Sequence, residues 1–140
     1  MGIRGDPVRI LIADDHEVIR RSVIRVLESR PEFDECAEAT NGREAVEKAL
    51  EWKPDLVLLD IRLPVLSGFE VSRLIKQHQP EILILFFSIY DTDEILEEAR
   101  LVGDGFILKE KIVEMLPNAI KALLQRQTFF PSNDQKGPST

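Results

Sequence analysis

A chain of 140 residues, 44% hydrophobic and 31% charged, has room for one full hydrophobic core and the make-up of a soluble globular domain. Its formal net charge of −7 argues against a nucleic-acid surface of its own, which needs a basic patch. A single cysteine, Cys36, excludes an intrachain disulfide, and the longest apolar stretch, Ile82 to Phe87, is far below the roughly 20 residues that span a membrane.

The opening Met1-Gly2-Ile3-Arg4-Gly5-Asp6 lacks the apolar segment of a signal peptide, and Asp6 stands where a myristoylation signal needs Ser or Thr, so a cytoplasmic protein without membrane contact is expected. Five strand-like runs then alternate with helical patterns, the signature of βα units on a parallel sheet. Val8–Ala13 leads into a helix with Ile19, Val23, Val26 and Leu27 on its apolar face. A weaker strand, Glu35–Ala39, passes through Asn41-Gly42 to a helix carrying Ala45, Val46, Ala49 and Leu50 at helical spacing. The third strand is Leu56–Leu59. Ser67 with Glu70 three residues on reads as a capping box that starts a helix presenting Phe69, Leu74 and Ile75.

Ile82–Phe87 is apolar at every position, which suits a central strand covered on both faces. A shorter helix over about Asp93 to Leu101 precedes the fifth strand, Phe106–Leu108. The last helix runs to about Arg126 and is expected to bury Val113, Leu116, Ile120 and Leu123. Its Pro117 belongs in the first turn, because deeper inside it costs about 3 kcal/mol, and this sets the helix start near Ile112 to Glu114. A domain over 7–126 is thus followed by 127–140, whose Phe129-Phe130-Pro131 and Ser, Asn, Gly and Pro residues read as a linker-like flexible tail.

Three of these strands end in charge: β-like run one in Asp14-Asp15, run three in Asp60 and run five in Lys109. As neighbouring parallel strands they bring three carboxylates and an ammonium to one sheet edge, where ligands bind in open α/β sheets. Two carboxylates about 5 Å apart repel by roughly 3 kcal/mol at an effective dielectric near 20, so the cluster calls for a cation. Each residue alone has an ordinary reading. Asp14 could cap the first helix with Glu17 at the third position, Ser88 could be a turn residue, Lys109 a solvated lysine and Phe106 plain core. Asp60 has no helix start to cap in Ile61-Arg62-Leu63-Pro64. A P-loop is missing, Arg62 stands where a haloacid-dehalogenase-type phosphatase needs a second Asp, and His16, His78 and Cys36 lack zinc-ligand spacing.

Taken together, Asp14-Asp15, Asp60 with Pro64 four later, Ser67-Gly68, Ser88 and Gly105-Phe106-Ile107-Leu108-Lys109 resemble the receiver domain of bacterial response regulators over about residues 8 to 126. Asp14-Asp15-His16, Leu59-Asp60-Ile61-Arg62-Leu63-Pro64 and Lys109-Glu110 look closest to the NarL/FixJ-like, or LuxR-type, subfamily, in which a helix-turn-helix domain usually follows. The resemblance implies a doubly wound five-stranded parallel sheet of order 2-1-3-4-5, flavodoxin-like. It implies that Asp60 is the phosphoacceptor for a phosphoryl group from a sensor histidine kinase. Mg²⁺ is then held by Asp15, Asp60 and the Arg62 backbone carbonyl, with Asp14 acting through water, and Lys109 shares in neutralising the transferred oxygens.

The same resemblance implies that Ser88 donates to the phosphoryl group and that Phe106 moves from outward to inward, changing the face of the fourth helix, fifth strand and fifth helix. Ile89, in a position commonly small in that family, is expected to crowd water near the phosphoryl group, while Arg62 and Tyr90 occupy positions that tune its lifetime. The implied protein is a signalling phosphoacceptor with only self-phosphorylation and slow autodephosphorylation, a homodimer once phosphorylated, and a DNA reader only through a further domain. Two other readings are a phosphorylation-independent interaction module of the same fold and a small Mg²⁺-dependent phosphatase. The first is disfavoured by the intact Asp15, Asp60, Ser88 and Lys109 set, the second by the lack of a substrate pocket or general acid.

Overall fold

Alternating side chains in five short strands divide the apolar residues between the two faces of one sheet. The computed structural model describes residues 7–33 and 35–131. Its elements run β1 (Arg9–Ala13), α1 (Glu17–Glu28), β2 (Glu35–Ala39), α2 (Gly42–Trp52), β3 (Leu56–Asp60), α3 (Gly68–His78), β4 (Leu83–Ser88), α4 (Asp93–Val102), β5 (Gly105–Leu108) and α5 (Ile112–Leu124). All strands are parallel in the order β2-β1-β3-β4-β5, as the resemblance implied. Leu11, Ala13, Val57, Leu59, Ile84, Phe86 and Phe106 face α2, α3 and α4, whereas Ile10, Ile12, Leu56, Leu58, Leu85, Phe87 and Ile107 face α1 and α5. Burial on both faces is why β3 and β4 read as unbroken apolar runs. Among the described residues no helix is long and apolar enough to cross a membrane.

Caps fix the helix starts. Ser67 and Glu70 form the expected reciprocal box at α3, the Asn41 side chain accepts from Glu44 N at α2, and Thr92 accepts from Ile95 N at α4. The start of α1 differs from expectation. His16 is its N-cap, and Asp14 takes no part in capping. β4 begins one residue later than its apolar run, because Ile82 N is used in a turn to Gln79 O and Leu83 N is the first to reach across, to Asp55 O.

Pro117 lies in the second turn of α5 rather than the first, since α5 starts at Ile112 after a 3₁₀ turn at Lys109–Lys111. The carbonyl it cannot serve, four residues back, belongs to Val113, which is 70% exposed. Val113 is therefore not a core residue. The buried stripe is Ile112, Leu116, Ile120 and Leu123, and Val113, about 100° round from Ile112, lies at its edge. On α3, likewise, Val71 and Ser72 join Ile75 in the core while Phe69 and Leu74 are only partly buried.

The start of the tail is not free. Phe129 pairs in parallel with Gly105 on the open edge of β5: Phe129 N donates to Asp104 O (3.1 Å) and Phe106 N to Phe129 O (2.8 Å). Phe129 and Phe130 pack on opposite core clusters, and Arg100 of α4 donates to Pro131 O (2.6 Å) with its guanidinium over the Phe130 ring. A side chain at 105 would place a Cβ 3.1 Å from Phe129 O, so the strap would have to give by a few tenths of an ångström to admit one. The expectations for Met1–Asp6 and for 132–140 lie outside the described residues.

Candidate functional site

β1 and β3 are adjacent, so the residues that follow Ala13 and Leu59 meet at the carboxyl end of the sheet. Asp14 is fully buried and Asp60 is 2% exposed, while Asp15 is exposed. One ligand atom from each of Asp14, Asp15, Asp60 and His16 falls within 4.8 Å of the others. Lys109 reaches the pair from the far side of β4. Its Nζ lies 3.0 Å from Asp14 Oδ2 and 3.1 Å from Asp60 Oδ2, with the Phe87 ring beneath it at 5.2 Å.

The buried carboxylates are held by local backbone. Asp60 Oδ1 accepts from Arg62 N (3.1 Å), and Asp14 Oδ1 accepts from His16 N (2.7 Å). That second bond closes a turn two residues long, which is the work Asp14 does in place of capping α1. The His16 ring bridges the acidic pair, with Nδ1 2.9 Å from Asp14 Oδ1 and 3.2 Å from Asp15 Oδ1. Asp14 Oδ2 has only the ion-pair contact with Lys109. It is the one buried side-chain polar atom among the described residues without a hydrogen bond.

Burial pushes the Asp60 carboxyl above its ordinary pKa, and the charge of Asp14 pushes it further; Lys109 and the Arg62 N–H offset only part of this. For Lys109, desolvation acts downward, but Asp14 and Asp60 together outweigh it and the ammonium is held above its ordinary value. The donor set is three hard carboxylates at one end of the sheet, two of them buried, and such a set fits a small oxygen-seeking divalent cation.

Gly68 ties the loop after Asp60 to α3. Its N–H donates to Ile61 O (2.8 Å), and a Cβ there would lie 2.4 Å from the Asp60 carbonyl oxygen. Within the same loop Leu66 N bonds Pro64 O across Val65, whose φ of 76° is strained for a β-branched residue. Such strain often sits beside functional groups.

Ser88 ends β4 and is buried, but its Oγ accepts from Tyr90 N (3.1 Å) rather than touching Asp60. Arg62 and Tyr90 meet across the mouth, guanidinium over ring at 5.4 Å, and Ile89 is largely exposed. Arg62 enters the site through its N–H. Phe106 is 2% exposed, so the outward position expected before phosphorylation is not the one observed. One participant had no signal in the sequence: Arg20, which donates from NH1 to Asp14 O (2.8 Å) and from Nε to Glu38 Oε1 (2.7 Å).

A doubly wound parallel sheet with an acidic, lysine-bridged cluster at its β1/β3 switch point defines a flavodoxin-like domain whose carboxylates could hold a cation. Residues 10–121 match the response regulator receiver domain, and the chain belongs to that family. It is 33% identical over 129 residues to the transcriptional regulatory protein DegU of Brevibacillus brevis, covering 91% of this chain and 55% of that protein. With the transcriptional regulatory protein LnrK of Bacillus subtilis (strain 168) the identity is 36% over 114 residues, covering 81% and 52%. The crystal structure of a LuxR-family two-component response regulator from Aurantimonas sp. SI85-9A1 superposes with a TM-score of 0.83 at 30% identity, covering 89% of each chain. The chain spans about half the length of the curated relatives it matches.

Proposed function

We propose that this receiver takes a phosphoryl group onto Asp60 from a phosphohistidine of a sensor histidine kinase. The observation that carries the reading is the state of Asp60: a buried carboxylate whose two oxygens are aimed by the Arg62 N–H and the Lys109 ammonium, beside Asp14 and Asp15. An Asp60 oxygen forms the new O–P bond as the P–N bond to the imidazole breaks, and the departing imidazole takes its proton from solvent. Asp15, Asp60 and the Arg62 backbone carbonyl would hold Mg²⁺, with Asp14 acting through water. Bound there, the ion supplies positive charge to the transferred oxygens.

Lys109 already sits between two carboxylates, so its ammonium can follow the charge from Asp60 to the phosphoryl oxygens with little reorganisation. Ser88 accepts from Tyr90 N, which leaves its own proton to donate to the phosphoryl group and draw 89–92 inward toward α4. With Phe106 already packed inward, the switch is a shift in population on the α4–β5–α5 face rather than a single ring excursion. The protein is not a turnover enzyme in this reading: it phosphorylates itself and loses the group slowly. It works in the cytoplasm as a receiver over 7–126, dimerises when phosphorylated, and reaches DNA only through a further domain, as fits its net charge of −7.

Acetyl phosphate with Mg²⁺ should add one phosphoryl mass to the intact protein, and Asp60→Asn should abolish it. Persistent labelling of that variant would reject Asp60 as the acceptor.

A further inference from the structure

β1 ends at Ala13 and α1 begins at Glu17, so the Asp14–Asp15 peptide lies between them, outside both regular elements. Its position is nevertheless fixed at both sides of Asp14: Asp14 N donates to Ala39 O (3.1 Å) on β2, and Asp14 O accepts from Arg20 NH1 (2.8 Å) on α1. The Asp14 carbonyl and the Asp15 N–H share one planar peptide group. Fixing the carbonyl therefore fixes the direction in which the chain leaves for Asp15. The Asp15 carboxylate itself is exposed, and its ion-pair contact is with the His16 ring, which is exposed as well.

Arg20 is itself held. Its side chain is 13% exposed, and its Nε donates to Glu38 Oε1 (2.7 Å), while Lys48 donates to the Glu38 carbonyl. A guanidinium can serve the carboxylate and the carbonyl at once from its fixed fork of donors, which a single ammonium cannot do in the same geometry.

We propose that Arg20 is a positioning residue for the acidic site: braced by Glu38, it fixes the Asp14–Asp15 peptide so that the Asp15 carboxylate faces the cation position. This rests on the Mg²⁺ reading given above, and it assigns the cation's affinity in part to a residue that never touches it. Partners of this kind, one layer behind the ligands, typically change metal affinity by about 10- to 100-fold when removed.

The test is a double-mutant cycle on Mg²⁺ affinity, measured calorimetrically in the full chain for wild type, Arg20→Gln, Asp15→Asn and the double variant. Arg20→Gln should weaken Mg²⁺ binding about tenfold. In the Asp15→Asn background the same change should cost less than about twofold, because the group it positions has gone. Arg20→Lys should recover little, and Glu38→Gln, a milder change that keeps the guanidinium, should give an intermediate loss. In the metal-free protein the Asp14 amide, bonded to Ala39 O, should exchange faster in Arg20→Gln.

If the loss in the double variant is the full product of the single losses, Arg20 acts on the fold and the positioning role is overturned. Wild-type Mg²⁺ affinity in both Arg20→Gln and Glu38→Gln overturns it as well. A wild type that binds no Mg²⁺ defeats the functional reading, a result distinct from either of these. Should Arg20→Gln not fold, Glu38→Gln combined with Asp15→Asn gives the same decision.

Discussion

Replacing Asp60 by its neutral isostere should stabilise the metal-free protein. At an effective dielectric near 20, the Lys109 ammonium 3.1 Å away attracts the Asp60 charge by about 5 kcal/mol. Asp14, whose ligand atom lies within 4.8 Å, repels it by about 3 kcal/mol. Coulomb terms alone favour the charge by the small difference, but desolvating a buried carboxylate costs several kcal/mol and reverses the balance. The upward pKa shift of Asp60, led by its burial, has the same sign.

Asp60→Asn keeps the Arg62 N–H on its oxygen and leaves Lys109 to Asp14, so a net gain of about 1 to 2 kcal/mol is expected in urea unfolding with EDTA at neutral pH. An acid whose folded pKa is raised contributes stability that is full below its unfolded value of 3.8 and is lost as pH rises through the folded value. The variant's advantage is therefore greatest at neutral pH and fades as pH falls toward 3.8. Saturating Mg²⁺ should reverse the ranking, since ligand at about a hundred times Kd adds about 2.7 kcal/mol to the wild type alone. A metal-free Asp60→Asn that is less stable than wild type at neutral pH would show that the Lys109 attraction dominates, and would refute the ledger.

Lys109→Met should cost about 3 to 5 kcal/mol in metal-free unfolding, because it leaves two buried carboxylates facing each other, and Mg²⁺ should narrow the deficit; an effect below about 1 kcal/mol would mean one carboxyl is already protonated. Arg100→Ala should speed amide exchange at Phe129 and Phe106 together while changing global stability by no more than about 1 kcal/mol. Exchange unchanged at both amides would mean that burial of Phe129 and Phe130 alone holds the strap.

The sheet was legible because every strand but the weaker β2 is a short apolar run closed by a charge or a turn, and the βα alternation leaves few ways to order such strands. Asp14, Asp60 and Lys109 were legible for the same reason: a charge directly after a buried strand has one place to go. The residues that escaped are those whose partners are distant in sequence and non-periodic. Arg20 looks like any polar position on α1 until its fork is seen on the Asp14 carbonyl. Phe129-Phe130-Pro131 has the composition of a linker, and only the open edge of β5 turns it into a strap. Val113 stands at helical spacing from Leu116 and Ile120 just as Ile112 does, so periodicity alone does not choose which of the two neighbours is buried.

The strand order also explains why the cation of the site is a lysine placed directly after β5. Strands lie about 4.8 Å apart, so a residue at the end of β5 is about 10 Å from β3 with β4 between. A long flexible stem can cross that gap above the end of β4, and Phe87 offers its ring to the ammonium on the way. One side chain thus joins the two acidic strands to the junction of β5 and the turn that opens α5. β5 in turn carries Phe106, whose backbone N–H is bonded to the strap, and the strap is gripped by Arg100 of α4. A change in the charge at Asp60 acts first on Lys109, and every later contact in that series lies on the α4–β5–α5 face. α2 has no part in it, so the α2 side of the sheet can stay rigid while the opposite edge changes.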